Sequence, residues 1–170
     1  DPGDYVLVPD PYYPIFADGP RLAGAKVWFM PMREENDFLI RFDEIPQEIA
    51  EKASLMIVSY PNNPTGATAD DRFYEELIAF ARRYDIAVLH DNAYSELVFD
   101  GPLGKSFLSY PGAKEVGIEF YSLSKSYNMT GMRMSFAVGN REIIREFSKV
   151  RSQIDYGIFL PIQMSAVAAL

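Results

Sequence analysis

Ser54-Leu55-Met56-Ile57-Val58-Ser59-Tyr60 is an uncharged run with an apolar centre. A strand of this kind is buried on both faces, which points to a parallel sheet with helices above and below it. The run ends in Pro61-Asn62-Asn63-Pro64-Thr65-Gly66, where two prolines and a glycine restrict the backbone. Phe73, Leu77, Ile78, Phe80 and Ala81 then form an apolar stripe that predicts a helix over Asp70 to Tyr84. Acidic residues open that helix and Arg82 and Arg83 lie near its end, matching the helix dipole. Ile86-Ala87-Val88-Leu89 is the next buried strand and leads into His90-Asp91-Asn92-Ala93-Tyr94. Strand, helix and strand make one right-handed βαβ unit, so the expected class is α/β.

The remaining segments fit around this unit. Tyr5 to Val8 reads as a strand stopped by Pro9-Asp10-Pro11. Pro14 opens a predicted helix that runs to about Ala25, and Lys26 to Met30 is a second short strand. Arg33 to Asp37 reads as a loop, and Asp43 to Lys52 as a short helix capped by Asp43. Phe99-Asp100-Gly101-Pro102 is a turn, and Leu103 to Lys114 is read as irregular with a turn at Tyr110-Pro111-Gly112. Val116 to Leu123 and Met134 to Gly139 are strands. Asn140 is placed to cap a helix from Arg141 to about Ile154, and Pro161 to Leu170 begins another. The chain opens on a turn at Asp1-Pro2-Gly3-Asp4 and closes inside an apolar pattern, so a piece of a longer protein is expected.

Composition narrows the chemistry. The formal net charge of −8 leaves no basic stripe for nucleic acid. No apolar run is long enough to span a membrane as a helix, and no signal peptide is visible. With no cysteine and one histidine, thiolate and multi-histidine metal sites are excluded, and a reducing cytosol is expected.

In open α/β sheets, ligands bind beyond the carboxyl ends of the strands. Asn63, Asp91, Tyr94 and Lys125 each follow such an end, bringing an amide, a carboxylate, a phenol and an amine to one edge. His90 reads as a packed strand-end residue. Tyr12 and Tyr13, just after the first strand, offer a ring that can stack on a planar ligand or pack under the helix. Lys125 lies in Ser122-Leu123-Ser124-Lys125, with Arg133 eight residues on. A lysine at the end of a buried strand is expected to be partly desolvated, which makes its amine nucleophilic toward aldehydes. Hydroxyls beside an arginine suit a phosphate dianion. An amine next to a phosphate site points to pyridoxal phosphate, which carries an aldehyde and a phosphate on one ring.

The Asn63 loop, Asp91-Asn92-Ala93-Tyr94 and Ser122-Leu123-Ser124-Lys125 with Arg133 resemble the fold-type I, pyridoxal-phosphate-dependent class I and II aminotransferases. The motif order and the lysine-to-arginine spacing both match, over essentially the whole chain. Gly117-Ile118-Glu119-Phe120, Ser126-Tyr127-Asn128-Met129-Thr130-Gly131 and Phe136-Ala137-Val138-Gly139-Asn140 resemble the LL-diaminopimelate branch. Two positions depart from it: Met132, often tryptophan there, and Ser135, commonly glycine.

The resemblance implies the central part of a cofactor-binding large domain, with an N-terminal segment and a small domain outside this chain. It implies that Lys125 holds pyridoxal phosphate as a Schiff base and carries the α-proton. Asp91 is implied to pair with the pyridine nitrogen, and Asn63 and Tyr94 to bond the ring's phenolic oxygen. Ser122, Ser124 and Arg133 are implied for the phosphate, and Tyr13, in preference to Tyr12, for ring stacking. Amino-acid and 2-keto-acid substrates and a homodimer follow from the same resemblance. A C–S β-lyase on this scaffold, and a cofactor-binding effector domain of a transcription regulator, remain alternatives.

Overall fold

The computed structural model describes residues 2–100 and 103–170. Its apolar runs form β1 (Tyr5–Asp10), β2 (Lys26–Pro31), β3 (Ala53–Val58), β4 (Ala87–Asn92), β5 (Gly117–Ser122) and β6 (Ser135–Gly139). They make one sheet in the order β2-β1-β3-β4-β5-β6. All neighbours are parallel except β5 and β6, which run antiparallel. The expected α/β class, a mostly parallel sheet flanked by helices, is therefore the one observed.

Alternation along the strands covers both faces of the sheet. Leu7, Met30, Met56, Val58 and Val88 face one side, in the same core as Phe73, Tyr74, Leu77 and Ile78 of helix α3 (Asp71–Tyr84). Val6, Val8 and Ile57 face the other side and pack with Phe16 and Ala17 of helix α1 (Ile15–Leu22). Asp70 caps α3, its carboxylate accepting from Phe73 N at 2.9 Å. The connection from β3 through α3 to β4 is thus a parallel βαβ unit, as the sequence predicts.

Several boundaries differ from expectation. β1 continues through Pro9 to Asp10. Its pairing with β3 ends at Leu7, so Pro9 lies beside β2 alone and its missing N–H disrupts no ladder on the β3 side. α1 stops at Leu22 because Gly24 takes φ +80°, where a side chain would press on Pro2. Pro46 divides the helix expected over Asp43 to Lys52. What forms is a 3₁₀ turn at Phe42–Glu44 and the short α2 (Gln47–Ala50), and Asp43 pairs with Arg41 instead of capping. Arg33 to Asp37 holds a 3₁₀ turn at Glu34–Asn36.

The stretch read as irregular contains a 3₁₀ turn at Phe107–Ser109 and α4 (Ala113–Val116), so β5 begins at Gly117 and not at Val116. α5 (Leu123–Ser126) follows β5 directly, and a 3₁₀ turn at Thr130–Met132 leads to β6. Asn140 caps α6 (Arg141–Ile154) by accepting from Glu142 N and Ile143 N, and α7 (Leu160–Ala169) ends the chain. Part of the turn expected at Phe99-Asp100-Gly101-Pro102, and Asp1 of the opening turn, lie outside the described residues. Among the described residues no helix is long and apolar enough to cross a membrane.

Candidate active site

The parallel strands β1, β3, β4 and β5 are neighbours, so their carboxyl ends form one edge. Each carries predicted site residues onto it. After β3, the loop is stapled by Asn62, whose buried side-chain oxygen accepts from Thr65 N at 3.2 Å and Thr65 Oγ1 at 2.9 Å. Gly66 N donates to Asn62 O at 2.8 Å and closes the turn. Asn63, at the apex, brings its side-chain amide close enough to the Tyr94 phenol to favour its ionised form.

Asp91 is the second-last residue of β4 and is half-buried. Burial pushes its carboxyl up to about 6, because water no longer stabilises the charge fully. No hydrogen bond or ion pair from the described residues compensates it. Tyr94 sits three residues on, in the turn after the strand. Its phenol is raised by burial first, then by the Asp91 charge and by Tyr13, while the Asn63 side chain pulls the other way. Asn63, Asp91 and Tyr13 therefore all lie within electrostatic reach of the Tyr94 phenol.

The two tyrosines after β1 are not equivalent. Tyr12 stacks on Phe29, with ring centroids 5.2 Å apart at 24°, and belongs to the core. Tyr13 meets Phe16 only edge-on and remains 48% exposed, which leaves a ring face free.

The second cluster lies beyond β5. Ser122 caps α5, its Oγ accepting from Ser124 N at 3.2 Å. Ser124 O accepts from Thr130 Oγ1 at 2.8 Å, and Thr130 O accepts from Arg133 Nη1 at 3.0 Å. Ser122, Ser124 and Arg133 are thus joined through one turn. Arg133 is left-handed, with φ +51°, an uncommon conformation for a side-chain-bearing residue. No ion pair engages its guanidinium among the described residues. Lys125 lies in the last turn of α5 and is exposed, contrary to the desolvation expected of it. The helical turn after β5 carries the lysine away from the sheet, so strand-end position alone does not bury it.

On the reverse face of β4 and β5 lies a buried polar network that sequence reasoning missed. Glu119 is fully buried. It accepts from Asn92 Nδ2 at 2.5 Å, Ser106 Oγ at 2.9 Å and Leu108 N at 3.2 Å. His90 pairs in register with Glu119, its Nδ1 3.9 Å from the carboxylate and its Nε2 3.2 Å from the Tyr74 hydroxyl. Burial outweighs the nearby carboxylate and lowers His90 to about 4, which keeps the ring neutral and agrees with its reading as a packed residue. The available signal for Glu119 was a lone acid inside an apolar strand, a costly placement without partners.

A groove of about 720 Å³ lies elsewhere, between the Asn36–Asp43 segment and α3. Four of its charges are paired as Arg41–Asp43 and Arg72–Glu76, Asp70 caps α3 and Arg83 lies over the Tyr84 ring, and the groove contains none of the strand-end residues.

Comparison with known proteins agrees with this arrangement. The "Aminotransferase class I and II" family profile matches residues 1–170. The LL-diaminopimelate aminotransferase of Moorella thermoacetica is 51% identical over 170 residues, all of this chain and 44% of that protein. A protein of the same name from Dehalococcoides mccartyi is 53% identical over the same span, again 44% of its length. The chain therefore spans less than half the length of these curated relatives. Among solved structures, substrate-bound BacF from Bacillus subtilis superposes with a TM-score of 0.96 at 46% identity, covering 99% of this chain and 43% of that one. A probable N-succinyldiaminopimelate aminotransferase from Thermus thermophilus gives 0.94 at 36% identity, covering 99% and 45%. A match over every residue, on a sheet whose strand ends carry the expected side chains, places the chain in the class I and II aminotransferase family.

Proposed function

We propose that this chain is the cofactor-holding part of a large domain in a pyridoxal-phosphate-dependent aminotransferase. The reaction moves an amino group between an amino acid and a 2-keto acid. LL-diaminopimelate and 2-oxoglutarate are the narrow reading, supported by the names of the relatives. A cytoplasmic homodimer is the proposed working form. The observation that carries the reading is Asp91, a half-buried carboxylate with no protein partner among the described residues, beside the Tyr94–Asn63 pair. A carboxylate left in that state suits a cation brought by a ligand, and a protonated ring nitrogen is one.

The other residues fit the same group. Asp91 would hold the ring nitrogen protonated, and Tyr94 and Asn63 would bond the phenolic oxygen. Tyr13 offers its free face to the ring. Ser122, Ser124 and Arg133, whose guanidinium has no ion pair among the described residues, would hold the phosphate, and Lys125 the aldehyde carbon. Bound there, the pyridinium supplies an electron sink for charge developing at the substrate α-carbon. Lys125 Nζ is the base that takes the α-proton and gives it back. Its exposed position in α5 leaves the amine room to move between these tasks. Tyr94 stays protonated at neutral pH, since burial and Asp91 both disfavour its phenolate, and so remains a hydrogen-bond donor.

The test is a half-reaction. The full-length protein that contains this chain is purified, loaded with pyridoxal phosphate and given LL-diaminopimelate, aspartate, alanine, glutamate or cystathionine singly. Loss of the visible cofactor band, with release of a keto acid, is expected for at least one of the first four. Pyruvate and ammonia from cystathionine without band loss would replace the transferase with a lyase. A cofactor band unchanged by every amino acid would point to a binding protein without turnover.

A further inference from the structure

We infer that Glu119 is a positioning residue for the Asp91–Tyr94 pair and acts through the side chain of Asn92; this rests on the cofactor reading above. Asn92 follows Asp91 directly and ends β4. Its Nδ2 donates to Glu119 Oε1 at 2.5 Å, and its Oδ1 accepts from Ser95 N at 3.3 Å. Ser95 adjoins Tyr94, and both Asn92 and Ser95 are buried. One amide thus ties the strand end that carries Asp91 to the turn that carries Tyr94.

The polarity of that amide is set from below. Glu119 Oε2 is engaged by two donors, Ser106 Oγ and Leu108 N, and its Oε1 presents a second acceptor upward. Only a carboxylate offers acceptors at both ends. With Oε1 fixed as an acceptor, Asn92 must turn its NH₂ toward Glu119, which leaves its carbonyl oxygen for the Ser95 N–H. A reversed amide would set oxygen against oxygen at Glu119 and donor against donor at Ser95.

The E119Q change breaks this logic without removing bulk. The new amide oxygen is held by Ser106 and Leu108, so the new NH₂ faces the NH₂ of Asn92. Asn92 must then either lose that bond or flip and release Ser95. The N92D change fails for the opposite reason, because two acceptors then meet in a buried site. The exchanged pair N92D/E119Q restores the bonds that run from residue 119 through residue 92 to Ser95: the introduced amide donates upward, and the introduced carboxylate accepts from it and from Ser95 N. A role limited to filling space predicts no such rescue.

The experiment compares wild type, E119Q, N92D and N92D/E119Q. Hydrogen exchange at the Ser95 amide is followed by NMR without cofactor, and pyridoxal phosphate affinity is measured separately. Circular dichroism checks the fold of each variant, and N92A serves for E119Q should that chain not fold. The single variants are expected to speed Ser95 exchange about tenfold relative to Leu89 in mid-strand, the equilibrium effect of one lost hydrogen bond. They are expected to weaken cofactor binding to a similar degree. The exchanged pair should return both within about twofold, since its bonds are equal in number. Unchanged Ser95 exchange in E119Q, or in N92A where that stands in, overturns the inference, as does an exchanged pair no better than the singles. Failure of wild type to bind pyridoxal phosphate would count against the cofactor reading alone, because the Ser95 measurement needs no cofactor.

Discussion

Asp91→Asn should make the cofactor-free chain more stable at neutral pH, although it removes a residue proposed to be essential for binding. The folded state raises the Asp91 carboxyl from 3.8 to about 6. A raised acid binds its proton more tightly when folded, so its stabilising contribution is present below pH 3.8 and is lost as pH rises through 6. At 1.36 kcal/mol per unit, the ionised carboxylate costs at most about 3 kcal/mol above pH 6. Partial exposure lets water screen part of that, so a gain of about 2 kcal/mol is expected for the neutral, nearly isosteric asparagine at pH 7.5. At pH 4, where Asp91 is itself protonated, the gain should vanish. Urea unfolding of both proteins at pH 4 and pH 7.5 measures this directly, with equal slopes required for a clean comparison. Pyridoxal phosphate affinity should move the other way, weakening by roughly ten- to a hundredfold as a charge-assisted bond is lost. A variant no more stable than wild type at pH 7.5, or equally favoured at both pH values, would refute the view of Asp91 as an uncompensated charge.

Three further outcomes concern the scaffold. His90 is depressed from 6.5 to about 4, so its contribution is complete above pH 6.5 and is lost as pH falls toward 4, by up to about 3 kcal/mol. Asp91 opposes this in the same window, so wild-type stability should vary little between pH 6 and 4 while Asp91→Asn falls steadily; urea midpoints across that range check it, and a flat profile for the variant would contradict the assignment. Gly139 has φ +137°, and a Cβ there would lie 2.5 Å from Gly117 O, so Gly139→Ala should cost about 2–3 kcal/mol and lower the thermal midpoint by roughly 5–10 °C. Gly131→Ala, with open space around the added carbon, should change it by less than about 2 °C, as surface substitutions generally do.

The sheet was legible because its strands are short apolar runs bounded by prolines, glycines and polar turns. Parallel order followed from helices placed between them, and the strand ends then marked the candidate site. What stayed hidden depends on packing between segments distant in sequence. Pro46 splits a plausible helix, but its effect was masked by good helix formers on either side. Pro9 looked like a strand stop, and only the offset of β3 explains why it is not. Tyr12 and Tyr13 were equivalent as letters, and Phe29 on β2 separates them. The exposure of Lys125 depends on where α5 turns. Glu119 was visible as a charge in an apolar strand, yet its partners Asn92, Ser106 and Leu108 come from β4 and a connecting loop. The placement of Asn63, Asp91 and Tyr94 on one edge was accessible because all three lie at or just after the carboxyl ends of the adjacent parallel strands β3 and β4.

The most direct test of the account is covalent trapping at Lys125. The protein is incubated with pyridoxal phosphate, reduced with borohydride, digested and read by mass spectrometry. The account predicts one phosphopyridoxyl group, located on Lys125, and no label in Lys125→Ala. A label spread over exposed lysines such as Lys114 and Lys149, or one that survives loss of Lys125 undiminished, would contradict it.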